Sequence, residues 1–540
     1  MTERSDFARL AGSGALQWLA LALAMAALMY MDWGHDGLWF QGDAPRHAAT
    51  GLFLADLLAA LPAHPVDYAL SYYARYPIIT PLLYPPLLYA VEAIGFTLFG
   101  PSPWLAKGVV LASAAVLGAY TLVWGRRWIA PAAGWAGALL LLLPGMLLFA
   151  NTVTPNVPST ALGFAALYHL RRWSDGDARR HCALFMGLGA AAVLTYYPAA
   201  LALAVAVSWT CLAEKRSPKL TVLLLAGAAL CTILLLGSLL PANLLRNRPM
   251  LAGLMSASGW GFYLRELPNL LGPSTLALAL SGGVVAALRP LRRQEVARYG
   301  LALLVVLACL SVLPPKDSRY ALLLLPFTAL AVMLGVLACA EAVRAQPNAL
   351  LAAGLVAAAG SAMAGWQKPM VPVVAGFEPL ARYLAERGTG DAVLYAGRYD
   401  GVFGFHLRLA DPHMRQRVMF AHKLLYRFDL DQGFERIEQP RVERAADVAT
   451  VVAERCGCRW VAFEVREEKT LTASDRLLRR ALDGPAFELI ASFPLLAPST
   501  IRVDLYRIKL AVTQSPPQDI AFPTFGERVY RSVEPLRPRH

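Results

Sequence analysis

Thr195-Tyr196-Tyr197-Pro198 interrupts the apolar run at 182–213, and how that run is read decides the topology of the chain. As a single helix it would put Lys215, Arg216 and Lys219 on the opposite side from Arg171, Arg172, Arg179 and Arg180. Loops rich in lysine and arginine collect on the cytoplasmic side of a membrane. Proline disfavours helix in the residue before it, so the run should break at Tyr197. It therefore reads as two short helices that return to the same side. The basic loops at Arg4 and Arg9, Arg126 and Arg127, Arg171 to Arg180, Lys215 to Lys219, Arg289 to Arg298 and Arg344 then all face the cytoplasm.

Working outward from that break, apolar runs of spanning length occur near 11–31, 104–124, 131–150, 219–240, 270–288, 299–314, 320–342 and 349–366, with a shorter one at 155–170. With the broken pair this predicts a polytopic α-helical membrane protein of about 11 membrane helices. Composition agrees: the chain has 540 residues, of which 57% are hydrophobic, and a mean hydropathy of +0.47, which excludes an ordinary soluble protein. The net charge is +13, but the cations flank the apolar runs, so they argue for topology and lipid headgroups rather than nucleic acid. Five of the seven cysteines lie in or beside apolar runs, and the other two, Cys456 and Cys458, suggest neither a disulfide framework nor a zinc site. The 11–31 run is long enough to span and lacks a convincing cleavage site, so it is expected to be retained.

This topology places the 32–103 loop, the 241–269 loop, Pro314 to Arg319 and everything after about residue 370 on the outer side. The 32–103 loop is long for a connector, and long structured loops are often functional. Ala44 to Leu61 within it should be a helix at the interface. Residues 1–369 read as the transmembrane domain. Residues 370–510 read as a soluble α/β domain with strands at Ala392–Ala396, Trp460–Val465, Phe487–Phe493 and Ile501–Ile508, and helices at Pro379–Arg387, Arg441–Arg455 and Ser474–Leu482. Residues 511–540, rich in proline and arginine, read as a flexible tail.

Several motifs, taken in order, resemble those of the GT-C superfamily of membrane glycosyltransferases, with most likeness to bacterial proteins related to protein O-mannosyltransferases and the lipid A aminoarabinose transferase. They are Asp43 in Gly42-Asp43-Ala44-Pro45-Arg46-His47, Pro85-Pro86-Leu87, Phe99-Gly100-Pro101-Ser102, the turn Pro155 to Pro158, the break Thr195 to Pro198, and Arg319-Tyr320. The likeness covers roughly residues 10–345. The chain departs from the family pattern at Ala44 (glutamate in the family), Tyr84 (histidine), Asn156 (acidic) and Tyr196 (lysine).

The resemblance implies a polyprenyl-phosphate sugar donor, a lipid, glycan or protein acceptor, and a bacterial inner membrane with the C-terminal domain outside the cytoplasm. It implies Asp43 as the general base that takes the acceptor proton. The expected outer-face cations are Arg46, Arg75, Arg246, Arg248, Lys316 and Arg319. Of these, Arg319, Lys316, Arg46 and Arg75 are the candidate donor-phosphate ligands, since arginine suits bidentate phosphate binding. Tyr84, Asn156 and Tyr76 are the candidate contacts to sugar or acceptor. Each has a simpler role as its rival. Asp43 can cap the helix at Ala44, where Pro45 suits a helix start. Arg319 can anchor a headgroup, Asn156 can cap a helix, and the tyrosines can form an interfacial belt. The sequence makes no cofactor certain. A divalent metal stays open, with His35, His47 and His64 at hand but at no spacing that demands one. Asp429-Leu430-Asp431 is read as a chance likeness to the Asp-x-Asp of nucleotide-sugar transferases. Two other functions remain open: a non-catalytic binding or assembly protein on a degenerate GT-C scaffold, and a lipid or glycan transporter.

Overall fold

The computed structural model describes residues 14–30, 38–39, 43–80, 84–209, 257–290, 292–312, 316–343, 360, 373–387, 390–430, 436–496, 500–513, 520–521 and 529–530. The expected spans at 219–240 and 349–366 fall outside the described residues, apart from Gly360, as do His35, Arg246, Arg248 and most of the tail. The chain forms two compact units: Met1–Trp33, Tyr84–Leu88 and Lys107–Met370 in one, and Gly34–Leu83, Tyr89–Ala106 and Val371–His540 in the other. The first outer loop thus packs with the C-terminal region, a division that crosses the boundary at 369 drawn from composition.

The first unit is helical because its apolar runs are long and several start with proline, which suits the first turn of a helix. Among the described residues, Pro103–Trp128, Arg293–Ser311 and Ser318–Glu341 are long and apolar enough to cross a membrane. Two further pairs qualify if each bent pair counts as one span: Pro131–Leu141 with Pro144–Ala150, bent by 56°, and Gly261–Leu271 with Pro273–Ala287, bent by 109°. Gly14–Tyr30, Arg180–Thr195 and Tyr197–Ser208 are shorter apolar helices. The bends coincide with Pro144 and Pro273, where the chain loses a backbone donor.

The interrupted run folds back on itself. Helix Arg180–Thr195 stops at Tyr196, and a turn through Pro198 leads into Ala200–Ser208. His181 bonds His169 at 2.7 Å near the C-terminal end of helix Asn156–Ser174. Trp209, after the break, returns to that same end, packing on Trp124 and donating to the Arg298 carbonyl. Both halves meet the Asn156–Ser174 helix at Gly163, where an added Cβ would lie 3.0 Å from that of Ala202 and 4.0 Å from that of Ala192. Helix Pro273–Ala287 crosses Leu324–Val343 just as closely: a Cβ on Gly282 would sit 2.6 Å from the Gly335 Cα. Small residues at such crossings let backbones approach, the usual basis of helix association in lipid.

The basic loops converge at one end of this unit. Arg171 grips Glu295 with both Nη atoms (3.0 and 2.6 Å) and lies 4.4 Å over the Trp128 ring. Glu295 also accepts from Arg298, Asp177 accepts from Arg127 and Arg172, and Arg292 reaches Glu341. Trp124, Phe164, Tyr168, Trp209 and Phe327 form an aromatic core beneath them.

The second unit is a mixed sheet with helices. The strands are β1 Leu38–Trp39, β2 Val373–Val374, β3 Ala392–Ala396, β4 Arg417–Phe420, β5 Tyr426–Leu430, β6 Arg436–Pro440, β7 Cys458–Arg466, β8 Phe487–Pro494 and β9 Thr500–Ile508. The main sheet has the order β4-β3-β7-β9-β8. β3 runs parallel to β4 and β7, whereas β9 is antiparallel to β7 and β8. All five β3 residues are buried, as expected of a strand covered on both faces. β1 of the first loop pairs with β2. The expected helix at Ala44 spans Ala44–Ala60. Helix Asp400–Ala410, β4 and the β5–β6 hairpin are elements that the sequence patterns did not indicate. The structure joins Cys456 and Cys458, both fully buried, in a disulfide across Gly457, which sits at φ 62° where glycine is free of Cβ strain.

Candidate active site

Several residues of the motifs lie together in the first unit. Tyr84 lies 5.9 Å from Tyr196, and Tyr196 lies 6.2 Å from Tyr320, ring centre to ring centre. Asn156, Tyr196, Arg319 and Tyr320 line one small open pocket, together with Thr160 and Pro198. The Pro198 break creates this pocket, because it ends one helix at Tyr196 and turns the chain before the next begins. Asn156 is the first residue of its helix, with Pro155 at the cap position. Its side chain is buried, and Oδ1 has no hydrogen-bond partner among the described residues. A buried carbonyl oxygen without a donor is costly and suits a pocket that receives a ligand. The pocket sits at the start of the helix that carries Arg171, so the basic cluster lies about 22 Å away along that helix at ~1.5 Å per residue.

Arg319 is mostly buried and pairs with Asp317 at 3.0 Å. The Asp317 side chain also accepts from the Arg319 amide, fixing the turn that presents the arginine. Lys316 does not line the pocket. It donates to the carbonyls of Leu310 and Ser311 at 2.9 and 2.6 Å, closing the end of the helix before it, where a cation is favoured. Burial pulls the Lys316 ammonium below the usual lysine range.

The other candidates belong to the second unit. Asp43 stands at the N-cap of helix Ala44–Ala60, with no side-chain capping bond to the helix. Its carbonyl accepts from the amides of Arg46 and His47. Arg46 pairs with Asp400 at 3.1 Å. Arg75 is buried and donates to the Met414 carbonyl at 2.8 Å. Tyr76 is fully buried and donates to Asp411 at 2.7 Å. Burial, reinforced by Asp411, holds its phenol well above the usual tyrosine range. Arg46, Arg75 and Tyr76 thus fasten the first loop to the helix Asp400–Ala410 and the turn after it. Arg408 does the same, pairing with Asp56 and donating to the Tyr72 hydroxyl. None of these fastening contacts was legible from motif spacing, because their partners lie more than 300 residues away in sequence. His47 donates to or accepts from Tyr89 at 2.7 Å. Among the described residues, no three His, Cys, Asp or Glu side chains gather as a metal site.

The chain has the fold of the GT-C glycosyltransferases. Its structure is similar to that of ArnT from Cupriavidus metallidurans in the apo state, with a TM-score of 0.59 over 93% of this chain and 100% of that one at 15% identity. The undecaprenyl phosphate-bound form of the same protein gives 0.57. Arabinofuranosyltransferase AftD from Mycobacteria gives 0.54 at 17% identity, over 94% of this chain and 40% of that one. The archaeal oligosaccharyltransferase AglB from Archaeoglobus fulgidus gives 0.52 at 12% identity, over 83% and 69%. No protein-family model matches the sequence. No curated protein matches it either.

Proposed function

We propose that this chain transfers a sugar from a polyprenyl-phosphate donor to a lipid, glycan or protein acceptor on the outer face of a bacterial inner membrane. The carrying observation is the pocket in which Asn156, Tyr196, Arg319 and Tyr320 meet, with Tyr84 against Tyr196. The fold likeness supports it, since ArnT was solved with undecaprenyl phosphate and AglB with a dolichol-phosphate. Tyr196 and Tyr320 both line the pocket and aromatic rings suit the faces of a sugar, and Asn156 Oδ1 awaits a hydroxyl donor. Arg319 is the group to meet the phosphate, because a guanidinium can engage two of its oxygens.

In the proposed reaction an acceptor hydroxyl oxygen forms a bond to the anomeric carbon while the bond from that carbon to the phosphate oxygen breaks. The phosphate departs as an anion that Arg319 stabilises, and a carboxylate takes the hydroxyl proton; motif order, not a shared pocket, is what proposes Asp43 for that role. Lys316 is not assigned to substrate, since it lies outside the pocket lining, and Arg46, Arg75 and Tyr76 are not, since they fasten elements of the second unit.

Tyr84, Asn156 and Tyr196 stand where the family carries ionisable groups, and that supports a second function: a binding protein that holds the lipid phosphate without chemistry. The test uses the purified chain in nanodiscs with undecaprenyl phosphate as the binding probe and undecaprenyl-phosphate sugars as donors. Binding followed by sugar transfer is expected. Asp43→Asn should slow transfer by roughly 100- to 10,000-fold at equal abundance. Binding with no transfer in the parent would support the second function. An unchanged rate in Asp43→Asn would exclude Asp43 as the base.

A further inference from the structure

Within the second unit, a line of contacts leads from the buried sheet to the turn that carries Asp43. Glu464 lies toward the C-terminal end of β7 and is fully buried. Its carboxylate accepts from the Tyr395 hydroxyl and from the backbone amides of Arg398 and Tyr399, both at 2.9 Å. Those amides belong to the turn between β3 and helix Asp400–Ala410. The turn passes so close that a Cβ on Gly397 would fall 2.1 Å from the Glu464 carboxyl carbon. Asp400 follows at the start of the helix. One oxygen accepts from the Gly401 amide at 2.7 Å, and the other holds Arg46 at 3.1 Å. Gly401 in turn lies against Pro45, since an added Cβ would come within 3.1 Å of the proline Cβ. Pro45 and Arg46 are in the first turn of the helix whose first carbonyl acceptor is Asp43.

We infer that Glu464 and Asp400 are positioning residues for Asp43: the sheet fixes the 397–400 turn, and Asp400 holds the first turn of the Ala44–Ala60 helix through Arg46. This rests on the assignment of Asp43 as the base. The physical case is that a helix end frays unless something outside it ties it down, and Asp400 ties this one down through Arg46. A carboxylate held by two amides and a hydroxyl inside a sheet is a rigid reference point, whereas an exposed turn is not. The Asp400–Arg46 pair is partly shielded, with side chains 14% and 32% exposed, so it is screened less than a surface pair.

The test is hydrogen exchange of the full chain in nanodiscs, which needs no substrate. Asp400→Ala should raise exchange at residues 46–50 by roughly tenfold, the loss expected for a charged hydrogen bond. Protection in β3 and β7 should stay unchanged. Asp400→Asn keeps an acceptor for Arg46 and should show a smaller rise. Glu464→Gln, which turns one acceptor into a donor facing an amide, should also loosen 46–50. Unchanged exchange there in Asp400→Ala, or an equal rise throughout the sheet, overturns the inference. In the transfer assay with undecaprenyl-phosphate sugars, Asp400→Ala should lower kcat while leaving undecaprenyl phosphate affinity alone. A loosened 46–50 segment with an unchanged kcat would overturn the positioning role. If the parent shows no transfer, the proposed activity fails, and the exchange result still decides whether the sheet anchors this turn.

Discussion

Replacing Arg408 by methionine keeps the aliphatic stem and removes the guanidinium. In the structure that guanidinium contacts Asp56 from Nη2 at 2.7 Å and from Nε at 3.1 Å, the Tyr72 hydroxyl at 3.1 Å and the Asp411 carbonyl at 3.1 Å. The Arg408 side chain is 8% exposed and that of Asp56 18%. Breaking a buried pair by removing one partner costs about 3–5 kcal/mol, because the other charge is stranded. Asp56 keeps the Tyr72 hydroxyl at 2.8 Å and some contact with water, so the lower end, about 3 kcal/mol, is expected. In a domain of this size that is a fall in Tm of roughly 6–12 °C. Thermal unfolding in detergent, with limited proteolysis to localise the loss, measures it. The double variant Asp56→Leu/Arg408→Met removes the stranded charge. It should therefore cost less than the sum of the single variants by about 2 kcal/mol, within the usual span of coupling energies. Single costs under about 1 kcal/mol, or simple additivity in the cycle, would refute the claim that this pair fastens the first loop to the C-terminal helix.

Arg319→Ala should weaken undecaprenyl phosphate binding and slow transfer by about 2–4 kcal/mol in total, while Arg319→Lys retains part of both; unchanged affinity in the alanine variant would make Arg319 a headgroup anchor. Tyr72 and Tyr76 have phenols raised well above the ordinary value by burial, so their contribution to stability is complete below pH ~10 and drains away at up to ~1.4 kcal/mol per pH unit each as pH climbs toward the folded values. Tm measured from pH 9 to 12 should fall more steeply in the parent than in Tyr72→Phe or Tyr76→Phe, and parallel curves would refute this. The Cys456–Cys458 disulfide should survive only outside a reducing compartment. Denaturing extraction of cells in iodoacetamide should leave both sulfurs unmodified, and alkylation of both without reductant would show that the pair is not bonded in cells.

The sequence by itself determined where the helical runs lie and that one of them breaks at Pro198. Apolar length sets where a helix can span, and proline acts on its own backbone whatever surrounds it, whereas the bends at Pro144 and Pro273 fell inside runs read as continuous. Motif order likewise singled out Asn156, Tyr196 and Arg319, which line one pocket of the first unit, and Tyr84, which lies near Tyr196 outside that lining. Local pattern also gave β3 to the residue and the helix at Ala44 to within one residue. The tertiary structure alone decided which polar groups are spoken for. Arg46, Arg75 and Tyr76 look like ligands in sequence, and each is bound to a partner beyond residue 399 that no spacing rule could supply. The helix Asp400–Ala410 was hidden for the same reason. Gly401 and Gly404 weaken it locally, yet Gly404 is where Ile78 packs, 2.7 Å from where a Cβ would be, so the glycine that lowers helix propensity is what permits the docking. Long-range contacts of this kind are stabilised by burial that exists only once both segments are in place, and a one-dimensional pattern carries no record of it.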